Sequence, residues 1–175
     1  ISGYFFNGYG ASIIERAAAG CATIDTLTEA ADSIELKVIT GHNDKGYYIS
    51  LSDDEFLLLE AHAMRQGSDA VANDGMYILH GSDSVYSYVN SCYSDIYHRE
   101  YIPFGAHSYP DTVFYWTDSV DFDWHYPYRG SNSFTPQSLR RPMLFDGTEV
   151  DNVWITNIRW KNDSVMLFDF NSDKP

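Results

Sequence analysis

Basic residues are scarce in this chain. Eleven Lys and Arg stand against 25 Asp and Glu, a formal net charge of −14 over 175 residues. Such a charge repels nucleic-acid phosphate and anionic lipid, which argues strongly against both as partners and favours basic proteins or cations. Long apolar runs are also missing. Stretches such as Phe56 to Leu59 fall far short of the ~20 residues a membrane-spanning helix needs. Cysteine is reduced to Cys21 and Cys92, which permit one disulfide without demanding it. The chain opens at Ile1, with no Met and no basic-then-apolar leader, and is read as a processed mature form or a cut fragment.

The missing motifs exclude several chemistries. There is no G-x-S-x-G elbow, no catalytic-cysteine signature, no glycine-rich phosphate loop and no H-E-x-x-H pair. The six histidines, His42, His62, His80, His98, His107 and His125, share no tight metal-binding spacing and read as structural or surface residues. GSDAVANDG at 67 to 75 resembles a calcium loop only loosely, because Val71 stands where an oxygen ligand is required. No cofactor and no metal are assigned.

Hydrophobic residues make up 44% of the chain, enough for a packed core, and the length suits one domain spanning residues 1–175. The spacing predicts a helix over Ala11 to Ala19, stopped by Gly20, and a second over Thr23 to Ala31. Ile34 to Thr40 and Tyr47 to Leu51 read as a pair of strands around the turn GHNDKG. Ser52 and Glu55 have capping-box spacing, which predicts a helix over Phe56 to Gln66 ended by Gly67. Met76 to His80 reads as a strand, and residues 82 to 96 as a helix with apolar positions three and four apart, although their Tyr and Ser alternation also fits a strand. Residues 97 to 111 read as loop, Thr112 to Trp116 as a strand and 125 to 141 as irregular. Val150 to Trp160 and Ser164 to Phe170 form a terminal strand pair. The expected fold is therefore α+β, with helices from the first half packed on a largely antiparallel sheet from the second. An all-β sandwich is the alternative if the early helices prove small.

The densest chemical signal is DFDWHYPYRG, Asp121 to Gly130. On a strand, Asp121 and Asp123 would share a face, where paired carboxylates can hold a cation or divide acid and base roles. Asp118, Asp121, Asp123, Trp124, Tyr126 and Pro127 fall in register with D-G-x-D-x-D-W-E-Y-P, so the stretch resembles the active-site strand of the chitinase-like family 18 glycoside hydrolases. That resemblance covers about ten residues. It implies glycan binding, but His125 replaces the Glu that acts as acid in that family, Ser119 replaces the Gly, and the chain is too short for the family's complete barrel.

Two features of the rest of the chain bear on surface and compartment. Asn162-Asp163-Ser164 is an N-glycosylation acceptor pattern. With few Lys and 14 Tyr, it points to a secreted protein. The expected function is binding, as an effector, a small toxin or a glycan-binding module, to a protein or glycan partner. The expected contact surface is Trp116, Asp121, Asp123, Trp124, Tyr126 and Tyr128, with Arg129 at its edge. Two alternatives are a carbohydrate hydrolase, or a degenerate chitinase-like protein, using Asp121 and Asp123, and an acidic inhibitor or immunity-type protein that covers a basic enzyme site. Oligomeric state is not legible.

Overall fold

The computed structural model describes residues 13–40, 43–63, 74–82, 101–103, 125–127 and 130–174. Among the described residues the protein is mostly β: strand makes up 53% and helix 5%, in two sheets. This corrects the α+β expectation of helices packed on a sheet. The one helix among the described residues, α1 (Ile13–Ala18), is six residues long, and the alternative reading, early helices too small to define the fold, is the one that holds.

Nine strands lie among the described residues: β1 (Ala22–Thr26), β2 (Ala31–Lys37), β3 (Asp44–Ser50), β4 (Glu55–His62), β5 (Gly75–Ser82), β6 (Tyr101–Pro103), β7 (His125–Tyr126), β8 (Ile155–Asn162) and β9 (Val165–Phe170). The larger sheet has the order β1-β3-β4-β5-β6, with β7 also pairing β5. It is antiparallel except where β1 meets β3. The smaller sheet, β2-β9-β8, is antiparallel throughout.

Several local expectations give way. Residues 23–26, expected to lie in a helix, belong to the strand β1, where Thr23, Ile24 and Thr26 suit a pleated edge. β2 and β3 do not form a hairpin: β2 joins the smaller sheet through β9, and β3 lies between β1 and β4. Residues 101–103 and 125–126, expected to be loop or irregular, each add a short strand to β5.

The helix expected over Phe56 to Gln66 is instead the central strand β4. Its Ser52 bond does form: Oγ accepts from the N–H of Glu55 at 3.0 Å and of Asp54 at 3.2 Å. The Glu55 carbonyl then accepts from Leu51 and Ser52, which closes a β3–β4 hairpin turn rather than a helix. Phe56 to Leu59 shows no alternation because β4 is covered on both faces.

One face packs against the smaller sheet. Tyr47, Ile49, Leu57, Leu59, Met76 and Ile78 meet Leu36, Ile155, Ile158, Met166, Phe168 and Phe170 in a shared core. Tyr47 stands edge-on to Phe168, with ring centroids 5.7 Å apart. The other face carries Phe56, Leu58, Tyr77 and Leu79, which bury Ile13 of α1 and Ile39. Each fully buried side chain of this size contributes roughly 1.5–3 kcal/mol. The helix sits so close that a Cβ on Gly46 would lie 2.6 Å from Ile13 Cγ1 and 2.9 Å from the Leu59 carbonyl oxygen, so only glycine fits there.

Two joints hold the sheets in place. Val38 donates to the Ser164 carbonyl of the small sheet's hairpin, and Ile39 donates to the Ala61 carbonyl of the large sheet. Within the small sheet, Asp169 Oδ1 accepts from the Ser33 N–H at 2.6 Å and Oδ2 from the Asn157 amide at 2.8 Å. Ser33 and Asn157 have φ of 52° and 56°, at register irregularities of β2 and β8. One buried carboxylate thus ties down two bulges whose backbone most side chains resist.

Candidate functional site

The β8–β9 connection is a two-residue turn, Asp163-Ser164, between Asn162 and Val165. Its chemistry favours turning: Asn162 Oδ1 accepts from the Ser164 N–H at 2.9 Å and from the Ser164 hydroxyl at 3.1 Å, an Asx-type turn. Trp160 is half-buried, with part of its indole against the core. Beside it opens a cleft of about 240 Å³ lined by Ala63, Asp74, Trp160, Lys161, Asn162 and Asp163. That is below the ~300–1,000 Å³ of a drug-sized pocket, and it suits one ring rather than an extended ligand. Across β9, the Lys161 ammonium pairs with Glu35 of β2 and holds that carboxyl below the usual range.

Two further polar clusters lie inside the fold. His80 donates or accepts through Nε2 at 2.7 Å from Glu55 Oε2, and the Phe145 N–H donates to the same oxygen at 2.8 Å. The Phe145 ring stacks on the His80 imidazole at 3.9 Å. Burial pushes His80 down to about 4 and pushes the Glu55 carboxyl up. His80 is therefore neutral at pH 7, and its Nε2–H is the donor to Glu55. Ser82 is nearby, but its hydroxyl donates to Asp54 at 3.0 Å. That bond commits the serine's proton to a carboxylate rather than to an imidazole base.

The second cluster lies on the opposite face. Fully buried Glu60 accepts from the Ile13 N–H at 2.8 Å through Oε2 and contacts His62 Nε2 at 3.0 Å through Oε1. This carboxylate anchors the start of α1 and has no route to substrate on the described surface.

Trp116, Asp121, Asp123, Trp124, Tyr128 and Arg129 lie outside the described residues, as does Cys92. Tyr126 is 1% exposed and packs edge-on against Phe134 in the core, so its ring belongs to the interior and not to a contact surface. Cys21 is an exposed free thiol. Asn162 is exposed and lies on the cleft. His62, His80 and His125 are buried. Among the described residues no three His, Cys, Asp or Glu are placed to hold a metal.

Of the cleft's residues, sequence singled out only Asn162 and Asp163, as part of the glycosylation acceptor pattern, and did not point to a cleft. Trp160 read only as the end of a strand. The signal that could have found it is its place two positions before the glycosylation acceptor. No family model, curated protein or solved structure matches this chain. The class it defines rests on geometry: two facing sheets, with a small aromatic and acidic cleft at one hairpin.

Proposed function

We propose that the protein is a secreted, acidic binding protein that holds a sugar ring against Trp160. The carrying observation is the cleft itself, lined by one aromatic residue, Trp160, together with Asp74, Asn162 and Asp163. A pyranose presents C–H bonds on one face and hydroxyls around its rim. An indole suits the face, and carboxylate and amide groups suit the rim. The indole is partly held by the core and the turn is braced by the Asn162–Ser164 bonds, so little freedom is lost on binding.

A glycan array with protein made in a host that does not glycosylate tests this reading. Trp160→Leu and the double change Asp74→Asn with Asp163→Asn should each weaken binding about 3- to 10-fold, the scale of one aromatic contact or hydrogen bond. A blank array, or folded variants that bind as tightly as the parent, would sink it. A second reading, an acidic inhibitor covering a basic site, draws support from the exposed Cys21 thiol, because thiols persist in reducing compartments. A Cys21–Cys92 disulfide in the isolated protein would remove that support.

A further inference from the structure

We propose that Asn162 is an N-glycosylation site whose first sugar packs on the Trp160 indole and closes the cleft. The inference rests on the cleft being a sugar platform and names how that same platform is regulated.

Asn162-Asp163-Ser164 carries the acceptor pattern with no Pro at its centre. The fold places it on an exposed turn, where residues 161 to 164 all face solvent, the setting a bulky substituent needs. Both hydrogen bonds from Ser164 to the Asn162 side chain use Oδ1, so neither engages the amide nitrogen, the atom to be glycosylated. The Ser164 hydroxyl lies on the same amide, bringing together the two side chains that the pattern requires.

The chemistry is a displacement. The amide nitrogen attacks the anomeric carbon of a polyprenyl-pyrophosphate-linked oligosaccharide. The N–C bond forms as the bond from carbon to pyrophosphate oxygen breaks. The electron pair leaves with the pyrophosphate, and one amide proton passes to a base of the transferase.

Trp160 gives the attached sugar somewhere to go. It lies two residues before Asn162 and lines the same cleft, whose volume suits a single ring. Tethering makes the contact intramolecular, so a stacking interaction too weak to capture free sugar is still populated. A glycan held there competes with any free saccharide for the indole.

The test uses the full chain secreted from a eukaryotic host. Peptide mass spectrometry should find a glycan on Asn162. Trimming that glycan to its first N-acetylglucosamine should leave the melting temperature unchanged. Complete removal should lower it by about 2–4 °C, the scale of one such contact in a chain this long, with Asn162→Asp as the charge control for the amidase product. Trp160→Leu should abolish the difference; the enzymatic series on wild-type protein stands without that variant if it fails to fold. The trimmed protein should bind free saccharide more weakly than the unglycosylated protein. An unmodified Asn162 in the secreted, folded protein would overturn the proposal, as would a glycan whose full removal leaves the melting temperature unchanged. Either result leaves saccharide binding by unglycosylated protein as a separate measurement, so the two readings fail independently.

Discussion

The buried His80 makes stability depend on pH in a direction that can be worked out. In the unfolded chain a histidine titrates near its ordinary 6.5, while in the folded protein burial brings it down to about 4. Between these values the unfolded state binds a proton that the folded state refuses, so stability rises with pH across this window and is flat above it. The full shift corresponds to about 3 kcal/mol, at roughly 1.4 kcal/mol per unit. This is an upper figure, because the Glu55 carboxylate 2.7 Å away favours the imidazolium. Glu55 itself works the other way. Its raised folded pKa means stability is lost as pH climbs through the range just above 4.5, which blunts the His80 slope at its acid end.

His80→Gln isolates the effect, since an amide can still donate to Glu55 but does not titrate. Urea unfolding of both proteins at pH 7.5, 6.5, 5.5 and 4.5 would give the comparison. Carboxylates and the other histidines contribute a slope common to both. The gap between wild type and variant should narrow or reverse by about 2–3 kcal/mol from the top of the range to the bottom. Parallel pH profiles, or a His80 resonance titrating near 6.5, would refute the reasoning.

Packing predicts two further outcomes. Gly46→Ala should destabilise by about 1–3 kcal/mol in a denaturant midpoint, because the added methyl meets Ile13 and the Leu59 carbonyl; an unchanged midpoint would mean that α1 does not rest on β3. Tyr126→Ala should cost about 3–5 kcal/mol of stability, since the ring is buried against Phe134. The assay is thermal unfolding, and a variant as stable as wild type would place the ring outside the core.

The terminal strand pair was legible because β8 and β9 are β-branched or apolar segments joined by a short polar turn, and local chemistry decides both. β5 was legible for the same reason. The region around Ser52 misled, because a serine hydroxyl satisfies backbone N–H groups equally well at a helix start or in a tight hairpin turn. The adjoining run, Phe56 to Leu59, is apolar on every side. Such a run is compatible with a buried strand or a buried helix segment, and only the layers on either side of β4 select the strand. Tyr126 misled for a related reason: tyrosine is equally at home in a wet rim and in a core.

By itself the sequence determined the properties that sum over residues or act within a few of them. These are the acidic charge, the shortage of apolar runs, the final hairpin and the acceptor pattern at Asn162. Among the described residues, no helix is long and apolar enough to cross a membrane. The tertiary structure alone decided which face each apolar residue serves, where Tyr126 goes, and that Ala63, Asp74 and residues 160–163 enclose one cleft. Local pattern records which side chains avoid water. It does not record what will cover them, because the partners come from distant strands and are chosen by the packing of the two sheets as a whole.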